Sequence, residues 1–326
     1  MLKLVVQNIL KFVLLMLAVS FVTFALVAAS PIDPVQANVG QNALLGMSAE
    51  HRAQLSAYWG SDLPLWERYI SWLGGVVQGD WGTSLRFDAP VAQVVAAKAQ
   101  NSLLLLALAW LFSGIFGFVL GIVAGVKRGA LVDRAIKGYC YVLASTPTFW
   151  LGLLVLMVFA VWLRWFPMGF SVPIGVAASE VTIFQSLQCM VLPALTLSLV
   201  GVANIALHTR EKTIDVLESD YVRFARARGE SELSVVLHHG LRNLALPALT
   251  LQFASISEIF GGSVLVEQVF SYPGLGQAAV TAGLGGDAPL LVCIAIASAA
   301  LVFAGNLVAN ILYGVVDPRI GGGRRA

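Results

Sequence analysis

Six long apolar runs separated by polar stretches dominate the chain. They cover residues 12–29, 102–126, 139–163, 187–207, about 244–266 and 290–316. A bilayer core takes about 20 apolar residues per helix, and each run has that order of length. Strands of a membrane barrel would alternate in segments of about ten residues, which these uniform runs do not. The pattern predicts an all-α polytopic membrane protein with six transmembrane helices. Composition agrees: of 326 residues, 58% are hydrophobic and 12% charged, with a mean hydropathy of +0.82. Soluble domains carry about 25% charged residues. An ordinary cytosolic enzyme, a disordered chain and a nucleic-acid binder are thereby excluded.

Net charge is only +2, but its placement is uneven. Segments 1–11, 127–138, 208–243 and 317–326 hold fifteen of the twenty Lys and Arg residues. The positive-inside rule makes these segments, and both termini, cytoplasmic. The first run follows Lys3 and Lys11 and is 18 residues long. That exceeds the roughly 7–15 apolar residues of a signal peptide, so it is read as an uncleaved span.

The outer loop, 30–101, begins with Pro31, Asp33 and Pro34, which stop the first helix. Its stretch Leu65, Trp66, Tyr69, Ile70, Trp72 and Leu73 has helical spacing and interfacial aromatics. It either lies along the membrane surface or over the pore mouth, or forms a small packed cap without a transport role. The cytoplasmic loop 208–243 holds six basic and six acidic residues. Residues 215–229 read as a helix broken by Gly229. Ser231 then caps a second helix running through Asn243, with Glu232 in its first turn. This hairpin is either a solvated charged surface or a docking surface for a cytoplasmic partner.

Within the spans, Gly117, Gly121 and Gly125 repeat at four-residue intervals, the spacing of close helix packing. Pro147 and Pro193 interrupt the third and fourth spans, as plain kinks or as openings onto a pore. Glu258 lies near the middle of the fifth span, where a carboxylate is costly and must face protein or water. With Pro147 and the neighbouring Ser145, it forms the candidate translocation path. Asn306 and Asn310 are one turn apart on the sixth span and are read as interhelical hydrogen-bonding residues.

The chain has no GxxxxGK[ST] phosphate loop, no HExxH and no GxSxG. Cys140, Cys189 and Cys293 form no CxxC pair, and His238 and His239 point in different directions on a helix. No catalytic or metal-binding constellation is present. A transporter or channel component therefore outranks a membrane enzyme.

Residues 220–247 read Asp220-Tyr-Val-Arg-Phe-Ala-Arg-Ala-Arg-Gly229 and, after twelve residues, Arg242-Asn-Leu-Ala-Leu-Pro247. This resembles the EAA loop of ABC-importer permeases of the dipeptide/oligopeptide/nickel branch, in the first permease subunit type. That branch reads close to DYVRTARAKG, then RNALLP. Further stretches fit the family in order and spacing. They are Gly79-Asp80-Trp81-Gly82-Thr83-Ser84, Thr146-Pro147-Thr148-Phe149-Trp150-Leu151-Gly152, Val191-Leu192-Pro193-Ala194-Leu195-Thr196, Glu267 through Gly276, and Asp317-Pro318-Arg319-Ile320.

The resemblance implies the six-helix type I importer permease fold over residues 1–326. It implies a second homologous permease, two ATP-binding subunits and an extracytoplasmic substrate-binding protein as partners in a bacterial inner (plasma) membrane. Tyr221, Ala225, Ala227, Gly229 and Glu232 would then form the ATPase-coupling element, with small Ala225 and Ala227 allowing close approach. ATP and Mg would bind on the partners, and this chain would hold no cofactor and catalyse nothing. Peptides and nickel or metal chelates are the implied substrates. The run Glu258-Ile-Phe-Gly261-Gly262-Ser263 tilts slightly to metal, because an acidic path favours a cation or amine. A secondary transporter or channel working without an ATPase is the alternative, and it would carry inverted repeats; none is evident.

Overall fold

The structure, a computed structural model, describes residues 2–30, 48, 50, 64–170, 181–231 and 234–316. Its helices are α1 (Leu2–Ala28), α2 (Leu65–Val77), α3 (Val91–Val126), α4 (Leu131–Ser145), α5 (Thr148–Val155), α6 (Ile183–Leu217), α7 (Asp220–Ala227), α8 (Leu241–Ala254), α9 (Ile256–Val269), α10 (Leu275–Leu284) and α11 (Ala288–Val316). One departure from an all-helical chain is a two-residue antiparallel hairpin, β1 (Thr83–Ser84) with β2 (Ala89–Pro90).

Four of the six apolar runs lie on continuous helices, α1, α3, α6 and α11. The helices α3 and α6 have 36 and 35 residues. At 1.5 Å per residue that is about 53 Å, well past a hydrocarbon core of about 30 Å. Apolar runs mark the part that lipid selects, not where the helix ends. The start of α6 is fixed by a capping box: Gln185 N–H donates to Thr182 Oγ1, and Thr182 N–H donates to Gln185 Oε1.

The third and fifth runs are not straight spans. Residues 139–163 divide between α4 and α5, which meet at 111°. Thr146 is extended, as the residue before proline prefers, so α4 stops and α5 restarts after Pro147. A wide-turn segment, Leu156–Trp162, continues α5. The fifth run bends by 48° between α8 and α9. Here Trp110 Nε1 and Ser255 Oγ both donate to the Gln252 carbonyl, at 2.8 Å each. Side chains drawing on a ladder carbonyl are a known cause of kinks. The expected interruption at Pro193 is absent: Pro193 is buried inside unbroken α6.

The sequence reads as one permease domain, and contacts divide it into two compact units. One comprises Met1–Ser102 and Pro273–Phe303. Its core sets Val91, Val94 and Val95 against Leu275, Ala278, Leu290 and Ile294. Buried Asp287 organises it. Its carboxylate accepts from Ser84 Oγ at 2.7 Å, from Leu85 N–H at 2.9 Å and from Leu290 N–H at 3.2 Å. One side chain thus caps α11 and ties down the hairpin. The other unit comprises Leu103–Tyr272 and Ala304–Ala326. Its largest cluster gathers Leu105, Ala109, Leu192, Leu197, Ile259, Val266, Phe270 and Tyr272.

Candidate functional site

The charged loop is a compact hairpin. The expected helix 215–229 breaks at Glu218 and Ser219, so that α6 and α7 meet at a corner. Ser219 is extended, and its hydroxyl donates back to the Val216 carbonyl, the local competition that ends helices. The end of α7 is a Schellman motif. Glu230 N–H donates to the Ala225 carbonyl at 3.3 Å, and Gly229 N–H to the Arg226 carbonyl at 2.9 Å. Gly229 sits at φ +85°, which explains its glycine.

Val222 and Ala225 turn inward on α7 and pack on Val235, Val216 and Leu217. Ala225 is therefore a core residue of the hairpin, packed inward rather than on the open face of α7. Helical spacing from Val222 puts it on the inner face. Ala227 and Gly229 are exposed. Tyr221 is exposed along its ring and accepts at its hydroxyl from Asn243 Nδ2 at 3.0 Å. Glu232 lies outside the described residues. The loop's second arm does not stop at Asn243 but continues as α8. Glu230 faces His239 Nε2 at 3.1 Å and Ser234 Oγ at 3.4 Å, which braces the two arms.

Sequence reasoning missed Phe224. It is 66% exposed, beside Arg223, Arg226 and Arg228. An aromatic on the outer face of a helix whose inner face is Val222 and Ala225 was readable from the 3.6-residue period.

At the base of α6 a buried ion pair holds the loop 127–130. Arg210 Nε donates to Asp133 Oδ1 at 2.5 Å, and its Nη2 donates to Oδ2 at 2.9 Å. Gly129 N–H adds a bond to Oδ2 at 2.8 Å. Asp133 is fully buried and Arg210 8% exposed. Both lie outside the spans 139–163 and 187–207. The Arg210 guanidinium holds the Asp133 carboxyl down at about 2, against the ordinary 3.8. No sequence spacing pairs two residues 77 apart.

The glycine repeat does what its spacing predicts. A Cβ on Gly117 would stand 2.8 Å from Ile205 Cβ, and one on Gly125 would stand 2.5 Å from Thr213 Cβ. The packing of α3 on α6 is thus backbone-close, and α6, which leads into α7, is locked to α3 by glycines and to α4 by the ion pair.

The candidate path residues fall near the two bends. Ser145 and Pro147 are exposed at the α4–α5 corner. Glu258 is exposed in the first turn of α9, just past the Ser255 bend, and has no hydrogen-bonding or ionic partner among the described residues. Ala254, Glu258, Gly261 and Leu265 form one open face. A Cβ on Gly262, one turn beyond Glu258, would lie 3.9 Å from Thr148 Cγ2, so α5 starts alongside this helix. Asn306 accepts from Ser257 Oγ at 2.9 Å, the interhelical bond expected of it. Among the described residues no group of three His, Cys, Asp or Glu side chains is placed to hold a metal ion.

A family model described as "Binding-protein-dependent transport system inner membrane component" matches residues 117–322, and its N-terminal companion, "Binding-prot-dependent transport system membrane comp, N-term", matches residues 1–103. The oligopeptide transport system permease protein AppB of Bacillus subtilis (strain 168) is 34% identical over 317 residues, 97% of this chain and 98% of that protein. The dipeptide transport system permease protein DppB of Escherichia coli (strain K12) is 32% identical over 322 residues, 93% and 94% of the two chains. The glutathione transport system permease protein GsiC of Escherichia coli O1:K1 / APEC is 34% identical over 320 residues, 98% and 99% of the two.

Proposed function

The chain belongs to the family of binding-protein-dependent transport system inner membrane components, and from that premise we propose that it is the permease subunit of an ATP-driven importer whose cargo is peptide. The observation that carries the cargo is the set of near full-length relatives named for oligopeptide, dipeptide and glutathione transport. The slight tilt to nickel read from the Glu258 run is not favoured by them. The chain sits in a bacterial inner membrane with both termini cytoplasmic, beside a second permease, two ATP-binding subunits and an extracytoplasmic binding protein. ATP and Mg bind on the partners.

Coupling runs through α7. Its outer face, with Phe224, Tyr221 and Ala227, seats in the ATPase, and Val222 with Ala225 holds that face to the hairpin. When the ATPases close, the push enters α6 at the Glu218–Ser219 corner. The glycine contacts and the Asp133–Arg210 pair make α3, α4 and α6 respond together. The bends at Pro147 and Ser255 take up the change between inward and outward openings. Glu258, on the open face of α9, attracts the ammonium end of a peptide.

The test is ATPase activity of the reconstituted complex with its binding protein, against di- and oligopeptides, glutathione, Ni²⁺ and Ni²⁺ chelates. Peptide stimulation is expected. Stimulation by nickel species alone overturns the cargo, and failure of any ATPase to co-purify overturns the coupling role. Phe224→Asp is expected to leave the chain folded, since the side chain is exposed, while stripping the ATPase subunits on purification. Glu258→Gln is expected to weaken stimulation by peptides with a free amino terminus and to spare N-acetylated ones. Equal effects on both would remove Glu258 from the path.

A further inference from the structure

Eight of the thirteen residues of α2 are aliphatic or aromatic, yet none is buried in the chain. One side is accounted for. Tyr69 hydrogen-bonds Ser20 Oγ at 2.8 Å and stacks edge-on against Phe21 and Phe24 at 5.4 and 5.6 Å. Trp72 lies 6.1 Å from Phe24. The adjoining side is not. Trp66 and Ile70 are each 60% exposed and, with Val77, follow one helical stripe. Glu67 and Ser71 fall on the adjoining, polar side, and the Arg68 guanidinium reaches over the Phe24 ring at 5.9 Å.

The depth of the contact decides what covers the stripe. Ser20, Phe21 and Phe24 stand four to eight residues before the end of α1 at Ala28. That is roughly 6–12 Å down the helix axis, inside the apolar window Val6–Ala28 that spans the membrane. At this level the flank of α1 is itself exposed and apolar, with Phe21, Val22 and Leu26. The stripe on α2 lies at the same level as these exposed apolar residues of α1. Water there would face exposed apolar side chains on both helices, whereas the headgroup and acyl boundary suits a helix with Trp and Ile on one side and Glu and Ser on the other.

We propose that α2 is a membrane-interface helix, lying in the bilayer boundary at the far end of α1 with Trp66, Ile70 and Val77 in lipid and Glu67 and Ser71 toward water. It braces the end of the first span sideways against the membrane and sets the level at which residues 83–90 begin. The chain's own cysteines are buried, so single thiols can be labelled selectively. Nitroxides would be placed at Trp66→Cys, Ile70→Cys, Val77→Cys, Glu67→Cys and Ser71→Cys in the purified transporter in lipid nanodiscs. Their relaxation would be measured with molecular oxygen, which concentrates in lipid, and with chromium oxalate, which stays in water. Oxygen is expected to dominate at 66, 70 and 77, and chromium oxalate at 67 and 71. Chromium oxalate dominating at Ile70 overturns the proposal in favour of a water-exposed cap. Shielding of Ile70 from both reagents overturns it in favour of a protein partner on the same stripe.

Discussion

Arg210→Ala is expected to cost the chain about 3–5 kcal/mol, the range for removing one partner of a buried ion pair. Among the described residues, fully buried Asp133 would keep Gly129 N–H as its one hydrogen-bond donor, and the loop 127–130 would lose its anchor on α6. The measurement is the thermal midpoint of the detergent-solubilised transporter, with Asp133→Asn and the double variant Asp133→Asn/Arg210→Met beside it. The double variant should recover most of the loss, because a buried charge pair replaced by groups of similar shape is close to neutral. A melting point for Arg210→Ala within a degree or two of the parent would refute the clamp. The pair also sets a pH dependence. The folded carboxyl titrates lower than the unfolded one, so its contribution is complete above the ordinary value of 3.8. It is lost as pH falls through about 2. At neutral pH the clamp is at full strength.

Gly121→Val is the second large effect. Even a Cβ at this position would stand 2.5 Å from Thr209 Cβ and 2.7 Å from the Ala206 carbonyl oxygen. Both belong to the framework of α6 rather than to a flexible side-chain tip, so the helices must part. Overpacking costs about 1–3 kcal/mol per site, and parting here also opens the neighbouring contacts at Gly117 and Gly125. Gly121→Ala should already lower the melting point, and Gly121→Val should abolish recovery of folded transporter. Gly138→Ala is the control. Nothing lies within 4 Å of its Cβ, and alanine is favoured over glycine in a helix by about 0.5–1 kcal/mol. A tolerated Gly121→Val, in yield and in transport, would mean that α3 does not ride this closely on α6.

Both effects bear on the same mechanical point. The helix α7 follows α6 after a two-residue corner, and a push there is useful only if α6 carries its neighbours. The glycine face and the ion pair supply that rigidity on adjoining faces of one helix. In the proposed coupling, Phe224 is the grip on the ATPase and Gly229 the turn that aims it.

The sequence by itself determined that the chain is helical, where its six apolar runs lie, which loop is charged, and to which family the loop belongs. Those features are periodic or composed, and lipid selects composition directly. It also marked the glycine repeat, because a helix puts every fourth residue on one side. Only the tertiary structure decided how the runs are used. Two of them bend, one because Thr146 precedes a proline and one because Trp110, 142 residues from Gln252, takes that residue's carbonyl. Inside the hairpin, Ala225 and Phe224 are neighbours in sequence with opposite fates, since Val235 covers one face of α7 and, among the described residues, none buries Phe224 on the other. Asp133 finds Arg210, and Asp287 finds Ser84 across 203 residues. A charge in the sequence carries no mark of its partner. The pairing comes from where packed helices bring their ends together, and burial then makes it strong.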